Sequence, residues 1–235
     1  MTSTRNGLLS GPFFCAAAAG AVVLALAASA AAQTTIRVPL DHPTIQAAIN
    51  AAGNGDTVLV APGTYLENIS FLGKAITVTS EAGPETTIID GNQADSVVKF
   101  ISGEGRASVF SGFAVLNGRS TRSGGGIWIK FSSPTIAGNI IANNRACEGA
   151  GLAVDSGSPL IERNTIINNL QAGCSGGGGG GISVRPNPAT GPHPKTEILN
   201  NVISGNGVDS ADGGGIRVVR NTLIRGNLIS GNFAS

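Results

Sequence analysis

Five side chains stand at matched places behind a repeated glycine. Trp128 and Lys130 follow Gly126 at the second and fourth places; Asp155 follows Gly151 and Arg185 follows Gly181 at the fourth; Arg217 follows Gly215 at the second. In every copy the first and third places are Ile, Leu or Val. That alternation describes a strand with its apolar side turned inward, so places two and four are expected to face out. Stacked copies would set Lys130 beside Asp155 and Asp155 beside Arg185. The chemistry within reach of such a face is recognition of an acidic sugar. An exposed indole is a stacking platform, and Trp128 is the one Trp of the chain. Arg suits paired hydrogen bonds to a carboxylate. Trp128, Lys130 and Arg217 are therefore the expected substrate-binding residues. Elimination from a uronate needs its carboxylate neutralised and a base near the C5 proton. Asp155 and Arg185 are the candidates for that catalysis. The same alternation of charge also serves any parallel stack as a ladder that relieves repulsion between strands, and that reading stands beside the first.

Other chemistry is scattered ahead of the glycines. Arg119, Arg122, Arg145, Glu148, Asp209 and Asp212 fall in segments that read as loops on one corner. Asp209 and Asp212 are two carboxylates where Ca²⁺ takes six to eight oxygens, so no metal or other cofactor is assigned. Gly176 to Gly181 is a run of six glycines. No Gly-Lys-Ser/Thr follows it, so it is no phosphate loop and reads as a flexible one. Cys147 and Cys174 occupy the same segment of consecutive copies, and coils at strand spacing would bring them within disulfide range.

The elements that must position these residues repeat. Gly126-Ile127-Trp128-Ile129-Lys130 aligns with the segments opening at Gly151, Gly181 and Gly215. After each comes an Asn followed by apolar residues, at Asn139, Asn164, Asn201 and Asn227, and then a closing Asn at Asn144, Asn169, Asn206 and Asn232. The glycines are 25, 30 and 34 residues apart, and the variation is confined to loops. A constant strand pattern with variable loops is what stacked coils produce. The repeats are clear from about residue 111. Asn and Gly are expected at the corners because both accept a left-handed backbone, and stacked Asn amides can bond from coil to coil. Ahead of the repeats, residues 43–52 have apolar residues at helical spacing. A short amphipathic helix there would cap the first coil, as solenoids require.

Composition bounds the rest. Gly accounts for 35 of 235 residues, aromatics for 4% and charged residues for 12%. A core of this material is built from Ile, Val and Leu in thin layers. Arg5, the apolar stretch from Phe13 to Ala27 and the small residues before Gln33 read as a secretory signal peptide spanning 1–32. The apolar run is short of the ~20 residues of a membrane span. Residues 33–235 then form the β-helix domain, secreted or on the exterior of the cell envelope, with no stable membrane insertion once the leader is cleaved. Arg5 is the leader's one charge, so the mature chain balances its 14 acidic residues. Nothing in that balance favours nucleic acid or an anionic membrane. Two of the three cysteines remain, an even count that fits an exported disulfide. The chain stops at Ser235, just past the fourth closing Asn, so it reads as short for its kind or as a fragment.

Thr44-Ile45-Gln46-Ala47-Ala48-Ile49, Gly55-Asp56-Thr57-Val58 and Pro62-Gly63-Thr64-Tyr65 resemble the opening of pectin lyase-like parallel β-helix proteins. The resemblance spans roughly residue 36 to the end. It implies an all-β, right-handed parallel β-helix with a short N-terminal capping helix. It also implies a polysaccharide partner, with pectate-lyase-like elimination as the reaction if there is one. The motifs of its enzymes are missing. Neither His42 nor His193 precedes Gly, and there is no Asp-Asp pair, as polygalacturonases would need. Trp128-Ile129 is followed by Lys130, where pectate lyases continue with Asp-His. The expected function is binding, and processing if the site is catalytic, of an extracellular polysaccharide, with uronate-containing polymers as one class of it. The alternative is a non-catalytic surface or adhesive module.

Overall fold

The computed structural model describes residues 32–171, 173–174, 177–185, 195–209, 211–219 and 222–235. The expected signal peptide, Ala32 apart, and the variable stretch at 186–194 lie outside the described residues. From Gln33 onward the chain is a right-handed parallel β-helix of about seven turns. Each mature coil runs through four short strands separated by corners. For one coil these are Val109–Ser111, Ala114–Leu116, Arg119–Ser123 and Ile127–Lys130; the next repeats them as Thr135–Ala137, Ile140–Ala142, Arg145–Glu148 and Leu152–Asp155. Matching strands pair in parallel, giving sheets of eight, seven, five and six strands. Ile127, Trp128, Ile129 and Lys130 lie in register with Leu152, Ala153, Val154 and Asp155, which continue onto Ile182, Ser183, Val184 and Arg185. Ile136, Ile161 and Ile198 stack in one sheet, and Ile141, Ile166 and Ile203 in the next, all fully buried. Phe71, Phe100, Phe110 and Phe113 are fully buried in the early coils, with Phe71 and Phe100 ring centroids 4.2 Å apart.

The five-stranded sheet corrects the sequence reading. Arg119–Ser123, Arg145–Glu148, Leu170–Gln171 and Gly207–Val208 are strands, not loop. They are two to five residues long and carry no apolar run, so periodicity alone could not find them. The glycines from Gly177 on are likewise part of the stack. Gly149, Ala150 and Gly151 donate to the carbonyls of Gly178, Gly179 and Gly180 at 3.1, 3.2 and 3.0 Å.

Two asparagine ladders hold the corners. Asn139, Asn164, Asn201 and Asn227 form one; each Nδ2 donates to the next Oδ1 at 2.9–3.0 Å. Asn144, Asn169, Asn206 and Asn232 form the other at the same distances. The acceptor oxygen also takes the backbone N–H of the preceding Asn, at 3.0 Å between Asn144 and Asn169. These amides, buried in all but the last coil, thus satisfy one another and the corner backbone together. The left-handed conformation belongs to the residue before each ladder Asn instead. Gly138, Arg163, Asn200 and Gly226 precede the first ladder and Asn143, Asn168, Gly205 and Gly231 the second, all with φ between 53° and 68°.

The repeated glycines are also not the left-handed residues. Gly126, Gly151, Gly181 and Gly215 are required by crowding: a Cβ on Gly151 would lie 2.6 Å from the Gly181 carbonyl and 2.9 Å from Asn169 Nδ2. The left-handed glycines stand two residues earlier, at Gly124, Gly149, Gly179 and Gly213.

The helix α1, Ile45–Ala51, packs against the first strands of the stack and buries Ile45, Ala48 and Ile49. Thr44 Oγ1 accepts from the Ala47 N–H at 3.1 Å. Glu67 accepts the N–H groups of Ile45 and Gln46 at 2.8 and 2.9 Å, placing a negative charge at the helix N-terminus. Lys74 donates to the carbonyls of Ile49, Asn50 and Ala52 at the other end. A seven-residue helix is marginal by itself, and beyond the local Thr44 cap the stack supplies a charged partner at each end. Among the described residues no helix is long and apolar enough to cross a membrane.

Candidate functional site

An open cleft of about 690 Å³ lies where the five-stranded sheet meets the strands that carry the predicted face. Trp128, Lys130, Asp155 and Arg185 line it, joined by Arg122, Phe131 and Glu148. Parallel register produces the row directly, since Trp128 opposes Ala153 and Lys130 opposes Asp155, which opposes Arg185.

In two of the four copies the second place does not remain on the surface. Ala153 and Ser183 are both 1% exposed, whereas Trp128 and Arg217 are half-buried. The left-handed glycines turn the backbone over that position, which is enough to hide a side chain as short as Ala or Ser. A Cβ on Gly149 would lie 2.8 Å from the Ala153 Cα, and one on Gly179 2.9 Å from the Ser183 Cα. Arg217, at the second place of its strand, packs on Gly178 and does not line the cleft. Its Nη1 stands 3.8 Å from Glu148 Oε1.

Asp155 organises the floor. Its Oδ2 accepts from Trp128 Nε1 at 2.8 Å, and its Oδ1 accepts from Arg185 at 2.9 Å (Nη2) and 3.3 Å (Nε). The indole is thereby held by its polar edge with its ring left to the cleft. Lys130 Nζ stands 5.7 Å from the Trp128 ring centroid and 5.6 Å from that of Phe131, within cation–π range of both. Phe131 is 59% exposed at a left-handed φ of 51°. Neither hydrophobic burial nor backbone preference accounts for an aromatic there. It was not singled out from sequence; its polar neighbours gave no apolar pattern to draw notice.

Glu148 is the second residue that sequence reasoning misplaced. It closes its strand at 8% exposure. Oε2 is ion-paired with Arg185 Nη2 but out of line for a hydrogen bond, and among the described residues it has no hydrogen-bond partner. Burial pushes the carboxyl above the ordinary glutamate range and the Asp155 charge adds to this; Arg185 and Arg217 oppose it without prevailing. Cys147 and Cys174 form a disulfide along the cleft rim, Cα atoms 5.4 Å apart. Among the described residues no three metal-ligating side chains cluster.

Residues 52–235 match the family model described as right handed beta helix region. The chain belongs to the right-handed β-helix family. No curated protein and no solved structure matches it. Membership is consistent with the pectin lyase-like superfamily, and at family level the β-helix supports a carbohydrate-binding or carbohydrate-processing role. Within this β-helix the cleft combines two aromatic rings, cations and a carboxyl whose proton affinity is raised by burial, a set suited to a polar ligand with flat apolar faces and negative charge.

Proposed function

We propose that this is an exported β-helix protein whose cleft binds an anionic, uronate-containing polysaccharide. The observation that carries the reading is the Trp128 ring, pinned by Asp155 and flanked by the Lys130 ammonium in an open cleft. A sugar ring stacks on the indole through its C–H face while Lys130, Arg122 and Arg185 meet its carboxylate. Export rests on the leader-like residues 1–32 and on the rim disulfide, a bond that persists in oxidising compartments.

A second reading, elimination, draws on Glu148. Asp155 has both oxygens engaged, so its part is to position Trp128 and Arg185. Glu148, with its affinity for protons raised, is then the group to take the C5 proton. In that step the C4–O bond breaks as the C4–C5 double bond forms, and the leaving oxygen takes a proton from water.

The test is affinity electrophoresis of the full chain in gels containing polyuronate or a neutral glucan. Retardation by polyuronate that weakens roughly tenfold in Trp128→Ala, about 1.4 kcal/mol, supports the reading. Equal retardation of both proteins removes the cleft from the binding. No retardation in any gel favours the non-catalytic surface module. Ultraviolet absorbance of the unsaturated product, read with and without Ca²⁺, separates elimination from binding.

A further inference from the structure

The chain turns another corner at the opposite end of the Arg119–Ser123 strand. Two depressions of about 240 and 290 Å³ lie there and share Asn143 and Arg145. The first is also lined by Gln93, Asn117 and Arg119, the second by Asn168, Leu170 and Phe233. Arg119 and Arg145 are in direct register on parallel neighbouring strands, so their backbones are ~4.8 Å apart. Like charges so placed repel. Both side chains are exposed, and among the described residues neither forms an ion pair. The nearby acids are committed elsewhere. Asp95, whose carbonyl accepts the Arg119 N–H, turns its carboxylate to Lys99. Asp90 accepts from Asn117 Nδ2 at 2.8 Å.

The backbone explains the amides of this corner but not the arginines. Gln93, Asn117, Asn143 and Asn168 all sit at φ of 55–57°, where Asn is favoured. Any residue fits an exposed strand position, and Leu170 and Gly207 hold the equivalent places in later coils. A repulsive arginine pair beside amide donors, with no counter-charge of its own, has the composition of an oxyanion site.

We propose that Arg119 and Arg145, with Asn143 between the two depressions, form a second site that binds carboxylates of an acidic polysaccharide. This deepens the cleft reading. Arg122 lines the cleft from the same strand that carries Arg119, and three residues of extended chain span ~10 Å. One polymer can then engage both ends of that strand.

The test uses the full chain in polyuronate gels, with Arg119→Gln/Arg145→Gln and Trp128→Ala compared side by side. The arginine variant is expected to lose about tenfold in affinity, and to lose part of the salt dependence that exposed charges confer. Without ligand it is expected to melt at or above the parent temperature, because repulsion is relieved. This melt also shows that it folds. Arg119→Lys/Arg145→Lys should fall between the two, keeping charge without the paired hydrogen bonds. Loss in the arginine variant alone sustains this site and sinks the cleft reading. Loss in Trp128→Ala alone overturns this site and leaves the cleft. Binding to neither, or stronger retardation by duplex DNA than by polyuronate, overturns the proposal.

Discussion

Glu148 holds its proton more tightly than a glutamate in water because it is buried beside the Asp155 charge, and two guanidinium groups compensate incompletely. The sign follows from linkage. A carboxyl whose folded-state pKa is raised binds more protons folded than unfolded, so stability falls as pH rises from the ordinary glutamate value through the raised one. Melting temperature against pH should therefore show a decline just above the ordinary glutamate range, and Glu148→Gln should flatten it. Protonation also makes the cleft more positive, so polyuronate affinity should weaken across the same interval in the parent chain. Trp128, Lys130, Asp155 and Arg185 were legible as a group because a two-residue period and parallel register leave little freedom. Glu148 was not. Its strand reads Arg-Ala-Cys-Glu, and nothing in four such residues announces that the last one turns inward over the next glycine segment.

At the scale of the element, glycine does two different jobs that the sequence does not distinguish. At Gly151 the need is room. Gly151→Ala is expected to cost about 2 kcal/mol or more, since overpacking a tight site costs 1–3 kcal/mol and here the obstacles are backbone and a ladder amide. At Gly138 the need is a left-handed backbone with open space around it. Arg163 and Asn200 occupy the same corner in later coils with φ of 53° and 56°. Gly138→Asn should therefore stay within about 0.5 kcal/mol of the parent, as surface changes usually do. Urea denaturation of both variants checks the contrast. The capping helix was readable from its apolar spacing, but its caps were not. Thr44 is local in sequence, whereas Glu67 and Lys74 arrive from 21 to 25 residues away, and only the coil geometry brings them there.

Across the whole molecule the stack is held by ladders that run through it like rails. Removing one rung strands its neighbours. Asn169→Ala would leave the Asn144 amide and N–H, the Ile141 carbonyl and Asn206 Oδ1 each short of a partner. At 1–3 kcal/mol for a buried group left unsatisfied, a loss of about 3 kcal/mol or more is expected in chemical denaturation. Asn168→Ala, one residue away and off the ladder, should cost about 1 kcal/mol through its left-handed backbone. The eight ladder asparagines were visible as repeats, which is why the fold was the most legible feature of the chain. The ladders also say how such a protein can change in length. Successive rungs of the first ladder are 25, 37 and 26 residues apart, yet their amide bonds are 3.0, 3.0 and 2.9 Å. A dozen extra residues have entered one coil without moving a rail. The connections between strands are thus a place where a gene can gain or lose sequence freely, and a foreign peptide grafted between Arg185 and Thr196, outside the strands on either side, would be carried by a scaffold that does not register its presence.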